Sequence, residues 1–402
     1  MCWFDSIVCF IRRLSVASRP ARLILLAIPL ALWGAWAQLF AWSVFFSLNY
    51  NDFGRFYYAV VNWRSGRSLY GTTVATWFQL DDAHGMHLWN LNPPHVSLLI
   101  WPLTWMPIGT AFHVWFWINV VAFIVAAEWT RRELRLRVSG AQFCLFAVFV
   151  VAATPTIGTV ATGQLTGLLT LLTTRIWLET RRGRWTAVGA LVGVAWSIKL
   201  FYVPLLCWLV LTGRRRAAAV SVATGLALFA LGAAVFGWRE ELAWFGVLRG
   251  VQWPWLPMNA SIVAPFVRGA FVIAPFDASA AIARVAMAIG LTCAVVVLVA
   301  GVWRAVCTNN VDRALLVLLV TCLLAFPVGW VYYWWIIGAP LIACWHISAV
   351  RRAFWLSLPG WLIAAWFIWP PSTVLFAVTI GSLYCWTFFA LWVGAIRATT
   401  ED

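Results

Sequence analysis

Asp52 is the residue of this chain best placed to do chemistry. It stands in Asn51-Asp52-Phe53-Gly54-Arg55-Phe56-Tyr57-Tyr58, a polar island after the first long apolar run. A carboxylate at the exit of such a run is wet enough to ionise and close enough to lipid to meet a lipid-linked substrate. A partly buried carboxylate can serve as a general base, taking the proton of a sugar hydroxyl as that oxygen attacks. The same aspartate could instead cap a helix that begins at Phe53. The second candidate is Lys199, the only lysine, in Gly189-x3-Gly193-x5-Lys199-x4-Pro204. Its ammonium could hold a phosphate or snorkel from the end of a span. Arg55, Arg64, Arg67, Arg239, Arg249 and Arg268 fall on the same side of the expected topology. Some of them balance carboxylates; one or two converging with Lys199 would make an anion site for a lipid phosphate.

Other groups carry weaker signals. Asp81, Asp82, His84 and His87 have a spacing that a metal could use, but spacing alone is a poor criterion, and no metal or cofactor is expected. His95, His113 and His346 read as hydrogen-bonded packing residues. The nine cysteines form no CxxC pair and read as small apolar side chains. No nucleotide-binding, zinc-protease or serine-hydrolase motif occurs in a suitable setting.

The elements that must position these residues are membrane spans. The chain of 402 residues is 63% hydrophobic and 10% charged, far too little charge for a soluble surface. Apolar runs of about 20 residues recur along its length. The fold expected is therefore an all-α polytopic membrane protein, one integral domain over residues 1–402. The net charge of +15 is nearly all arginine, gathered in short loops. The positive-inside rule accounts for that pattern better than nucleic-acid binding does. The arginine clusters place both termini inside and give about twelve transmembrane helices. The run Leu23 to Phe46 is too long for the apolar part of a cleavable signal. Two long outer loops are expected, at about 47–92 and about 237–279, with a shorter one around Phe326–Tyr333. The stretch Pro93–Trp129 should be one broken crossing, because Pro102 and Pro107 interrupt it. The two short runs within Trp185–Thr212 should turn near Lys199. Carboxylates are missing from mid-span positions, which argues against ion-driven transport and for chemistry at the outer interface.

Taken together, these islands resemble glycosyltransferase family 87 (DUF2029), the polyprenyl-phosphate-mannose-dependent group of the GT-C superfamily. The matching residues are Asn51-Asp52-Phe53-x2-Phe56-Tyr57-Tyr58, Gly66-x2-Leu69-Tyr70, and Asn92-Pro93-Pro94 leading to Pro102-Leu103. They continue with Gly163-Gln164-x2-Gly167-Leu168-Leu169, Gly189-x3-Gly193 with Lys199 and Pro204, and Asn259-x-Ser261. The resemblance implies a GT-C-like bundle with long outer loops, acting as a hexosyltransferase that inverts the anomeric centre. It implies a polyprenyl-phosphate sugar donor, usually of mannose, and Asp52 as the catalytic base. With Lys199, Arg55 and Arg268, the motif residues Tyr58, Gln164 and Asn259 and the late-loop Tyr332 are expected to bind substrate. The chain departs from the family pattern at Thr166, at Ala260, and at Val331-Tyr332-Tyr333, where a His commonly follows the Trp.

A physical argument runs the same way. Nucleotide sugars are made inside and the expected site is outside, so the donor must arrive on a lipid, and its departing phosphate needs cations. The expected partners are a polyprenyl-phosphate sugar donor, a lipid or glycan acceptor and membrane lipids, with no nucleic acid. The expected place is a bacterial-type inner or plasma membrane, multi-pass, with the active site on the periplasmic or extracellular face. Two rival functions stand beside this one: a flippase of lipid-linked glycans, and a glycan polymerase or ligase with a diphosphate-linked donor.

Overall fold

The computed structural model describes residues 27–36, 39, 52–71, 90–251, 254–275, 277, 279–368 and 371–398. Those residues are helical or in turns and loops, and no strand occurs among them. The chain runs through α1 (Ala27–Trp36), α2 (Asp52–Arg64) and a run of short turns from Pro94 to Trp105. Next come α3 (Ile108–Glu133), α4 (Gly140–Ala152), α5 (Thr154–Thr162), α6 (Thr166–Arg181) and α7 (Trp185–Ile198). These are followed by α8 (Val203–Leu211), α9 (Arg215–Phe236), α10 (Trp238–Arg249), α11 (Ala264–Ile273), α12 (Ala281–Val306) and α13 (Val311–Ala325). A 3-10 stretch, Val331–Ile337, leads into α14 (Gly338–Ala343), and α15 (Ser348–Leu362) and α16 (Leu383–Arg397) close the described chain.

Among the described residues, four helical runs are long and apolar enough to cross a bilayer alone: α3, α9, α12 and Val374–Arg397. The bent pair α4–α5, with a 52° angle at Ala153, makes a fifth. Much of the remaining apolar chain lies in shorter helices of 10–17 residues. The difference from about twelve uniform spans has a local cause, because proline and glycine cut the apolar runs into halves. Pro102 and Pro107 confine Pro94–Trp105 to short turns, and the single 26-residue α3 follows. Lys199 is extended (φ −139°, ψ 112°) between α7 and the 3-10 turn Leu200–Tyr202, and Pro204 then opens α8.

α13 is the central pole. Every residue from Arg313 to Leu324 is buried, as expected for a helix that is apolar all round. α12 lies beside it and turns Val285, Ile289, Val295, Val296, Val299 and Trp303 outward, a surface suited only to lipid. α7 and α9 meet through small residues. A Cβ on Gly189 would lie 2.2 Å from the Ala217 carbonyl oxygen, and one on Gly193 would lie 2.5 Å from that of Ser221. Close backbone approach of this kind drives helix association in lipid, where the hydrophobic effect is weak.

Charged side chains fasten one end of the bundle. Arg181 of α6 meets Asp312 of α13 at 2.6 Å and Glu133 of α3 at 3.3 Å, and the Trp177 indole donates to Asp312 at 2.7 Å.

Side-chain hydrogen bonds tie α2 to its neighbours. The Tyr57 hydroxyl donates to the Met106 carbonyl at 2.7 Å, the Arg64 guanidinium to Thr104 Oγ1 at 3.2 Å, and the Trp63 indole to the Phe236 carbonyl at 3.3 Å. α10 then ties down the chain that follows α2. Glu240 accepts from the Ser68 hydroxyl and the Leu69 amide, both at 2.9 Å. The Trp244 indole reaches the Leu91 carbonyl at 3.2 Å. Asp81, Asp82, His84 and His87 lie outside the described residues, as do Asn51 and most of the first apolar run.

Candidate functional site

The site assembles at three interruptions in the helices. The first lies between α5 and α6. Gly163 ends α5 in the left-handed conformation (φ 69°), which glycine adopts without a Cβ penalty. It also has no room for a side chain, since a Cβ there would lie 2.7 Å from Phe53 Cβ and 2.6 Å from the Phe112 ring. The residue that turns the chain therefore also lets α2 and α3 close on the turn. Phe53 adjoins Asp52 and Gly163 adjoins Gln164, so this contact brings aspartate and glutamine face to face.

Asp52 opens α2, with its carboxylate in the first turn, where the helix dipole favours negative charge. The residue is 8% exposed. Arg55, one turn on, places Nη2 2.6 Å from Asp52 Oδ1. Gln164 Nε2 donates a short hydrogen bond to Asp52 Oδ2. Each carboxylate oxygen thus has one donor and keeps a lone pair free for another proton.

The second interruption follows α13. Asn259 locks the loop before α11 to the loop after α13. Its Nδ2 donates to the Pro254 and Pro327 carbonyls at 2.8 and 2.7 Å, and its Oδ1 accepts from the Ser261 amide at 3.0 Å. Backbone bonds from Ala260 to Gly329 at 2.7 Å and from Val331 to Met258 at 2.9 Å complete the joint. The joint fixes the 3-10 stretch that carries Tyr332 and Tyr333. The Tyr333 hydroxyl donates to Gln164 Oε1 at 2.8 Å, so a continuous chain runs Tyr333–Gln164–Asp52–Arg55. Tyr332 stacks on Trp330 with ring centres 5.9 Å apart and lies within electrostatic reach of Asp52 and Arg55.

The third interruption supplies Lys199. Its Nζ lies over the Tyr333 ring, 5.6 Å from the centroid. The side chain is half-buried, makes no ion pair with a described carboxylate, and feels Asp52 through space. Its charge is therefore available to an anion.

Five of the eight residues singled out from the sequence thus meet in one place: Asp52, Arg55, Gln164, Lys199 and Tyr332. Asn259 and Arg268 stand behind them. Arg268 is fully buried, and its guanidinium donates to the carbonyls of Trp255, Leu256, Pro257 and Asn259 at 2.6–3.1 Å and to the Ser382 hydroxyl at 3.0 Å. It acts as a pin for the loop that Asn259 joins, with its donors turned to protein. Tyr58 is 38% exposed, on a different face of α2 from the Asp52 carboxylate, with its ring edge-on to Tyr57. Tyr333 is the member that sequence reasoning passed over. The signal was the doublet Tyr332-Tyr333, in which only the turn geometry decides which hydroxyl faces the site. Among the described residues, no three His, Cys, Asp or Glu side chains come together to hold a metal ion.

The cluster joins a buried carboxylate with hydrogen-bonding support to an unpaired ammonium. One can accept a proton while the other stabilises a leaving anion.

Comparison with known proteins bears on this arrangement. Two curated relatives are named polyprenol-phosphate-mannose-dependent alpha-(1-2)-phosphatidylinositol pentamannoside mannosyltransferase. The one from Mycobacterium tuberculosis is 28% identical over 277 residues, covering 68% of this chain and 61% of the relative. The one from Mycolicibacterium smegmatis is 27% identical over 282 residues, covering 67% and 64%. The chain therefore spans less than two thirds of the length of these relatives. No solved structure matches. The family model of glycosyltransferase family 87 matches residues 90–327, a segment that holds Gln164, Lys199, Asn259 and Arg268 and begins after Asp52. That match covers more than half of the sequence, and the chain belongs to glycosyltransferase family 87.

Proposed function

We propose that this protein is a membrane hexosyltransferase that moves mannose from a polyprenyl phosphate to a hydroxyl of a lipid-borne glycan. The observation that carries the reading is the meeting of Asp52 and Lys199 around Tyr333, Asp52 through Gln164 at the hydroxyl and Lys199 over the ring face. The relatives' names, with a polyprenol-phosphate-mannose donor and a phosphatidylinositol mannoside acceptor, support the same class of substrates.

The reaction is a single displacement. Asp52 takes the proton of the acceptor hydroxyl as its oxygen bonds to the anomeric carbon. The bond from that carbon to the phosphate oxygen breaks, and its electron pair leaves with the polyprenyl phosphate. Lys199 stabilises the charge that builds on the departing phosphate. One in-line step inverts the anomeric centre. Arg55 keeps the buried Asp52 carboxylate paired, since an isolated buried charge is costly. Orientation follows from the donor. Nucleotide sugars are made inside, so a lipid-phosphate sugar is the form that reaches an outer site. We place Asp52 on the periplasmic or extracellular side and both termini inside.

The test is Asp52→Asn with polyprenyl-phosphate mannose as donor and a mannosylated lipid as acceptor. Asparagine keeps the side-chain shape and cannot accept the proton, so transfer should fall by at least about 100-fold. Mass spectrometry of the spent lipid should show a monophosphate. Full transfer by a folded Asp52→Asn protein would overturn the assignment. Movement of intact donor without bond cleavage would favour the flippase, and a spent diphosphate would favour the polymerase or ligase.

A further inference from the structure

We propose that Tyr333 is a positioning residue that couples the base to the phosphate-binding cation, with its hydroxyl aiming Gln164 at Asp52 and its ring face holding Lys199. The inference rests on the roles just assigned to Asp52 and Lys199.

The hydroxyl arm follows from the symmetry of an amide. The oxygen and nitrogen ends of glutamine are nearly the same size, and its neighbours decide which end points where. Tyr333 donates to Oε1 at 2.8 Å, which leaves Nε2 for Asp52 Oδ2. The arrangement matters most after Asp52 has taken a proton. A protonated carboxyl could turn its O–H toward an amide oxygen, and Gln164 could then rotate to accept it. Tyr333 donates to that oxygen and holds it in place, so the amide keeps its own donor on the Asp52 carboxyl group.

The ring arm uses the other property of the same side chain. An ammonium over an aromatic face is held by the ring quadrupole. Lys199 has the Tyr333 face at 5.6 Å and no carboxylate partner among the described residues. Its position can be fixed without neutralising its charge, which is what a phosphate site needs. Tyr333 is itself wedged, with the Tyr332 ring centre at 4.7 Å and that of Phe201 at 5.4 Å. The charged and titratable groups facing this unit, among the described residues, are Asp52, Arg55, Lys199, Tyr202 and Tyr332.

Two substitutions separate the arms. Tyr333→Phe removes the hydroxyl and keeps the ring. It should lower kcat by about 5–30-fold with the donor KM unchanged. Tyr333→Leu removes both arms and should in addition raise the donor KM several-fold. Thermal unfolding of each variant shows whether it is folded. If Tyr333→Leu fails to fold, Tyr333→Phe and Gln164→Leu decide, and these two should share the kcat loss at an unchanged donor KM. A wild-type kcat in Tyr333→Phe would overturn the hydroxyl arm. Equal donor KM values in Tyr333→Phe and Tyr333→Leu would overturn the ring arm. If Asp52→Asn is inactive while Tyr333→Phe is normal, this inference fails alone; full activity of Asp52→Asn would instead overturn the functional reading beneath it.

Discussion

Glu241→Gln should make the protein more stable, by an amount that grows as pH rises from about 4.5 to about 7. Glu241 lies in α10 with 1% of its surface exposed, and neither carboxylate oxygen has a hydrogen-bond donor. Its Oε1 rests against the bare α-carbon of Gly232, 2.5 Å from where a Cβ would stand. Glu240 beside it is satisfied by Ser68 and Leu69. Burial pushes the Glu241 carboxyl up to about 7 from 4.5. The folded protein thus holds this proton through a pH window in which the unfolded chain has released it. The stabilising effect of that retained proton is complete below about 4.5 and is lost as pH rises to about 7. At 1.36 kcal/mol per pH unit, the loss is about 3 kcal/mol. Glutamine remains neutral throughout and avoids it. In detergent micelles the variant should unfold about 3–6 °C above the parent at pH 8, with the two curves meeting near pH 5. Thermal unfolding followed by circular dichroism from pH 5 to 9 measures the difference. A constant offset between the two proteins across that range would refute the reasoning, as would a less stable variant at pH 8.

Two further expectations concern the scaffold of the site. Gly163→Ala should cost about 2–4 kcal/mol, from a left-handed backbone and from crowding against Phe53 and Phe112; lower thermal stability and reduced transfer would both register it, and an unchanged melting curve would count against the close packing. Arg268→Lys keeps the charge but leaves several buried carbonyls without a donor, so a loss of about 3 kcal/mol or more is expected in thermal unfolding, whereas a wild-type melting temperature would show that the guanidinium is not the pin.

Much of this was legible in the chain because apolar runs and prolines are local signals. The interruption of Pro93–Trp129 and the turn at Lys199 both follow from where proline and lysine stand. Asp52 and Lys199 were legible because a polar residue at the edge of an apolar run needs a reason to be there, and Gln164 was singled out only through the family motif that holds it. Arg268 was misleading for a physical reason. A lone arginine reads as a free charge, and only the folded loop reveals that its guanidinium is turned to four carbonyls and a hydroxyl. Asn259 poses the same problem, since a side chain that binds sugar and one that binds backbone present the same amide. Tyr333 was beyond reach because adjacent residues of a 3-10 turn point in different directions, and the turn's angle depends on the joint at Asn259.

Gln164 and Lys199 each sit where a helix stops and another begins, and Tyr333 lies in the 3-10 stretch between α13 and α14. Their separations are therefore set by the tilts between half-helices, which the bilayer itself can change. A membrane of altered thickness is accommodated by tilting and kinking of the helices it surrounds. In a continuous helix such tilting would carry the side chains along together. Here it opens or closes the distances among the three, so turnover should vary with the acyl-chain length of the surrounding lipid, with an optimum at the thickness that lets the broken helices rest at their native angles.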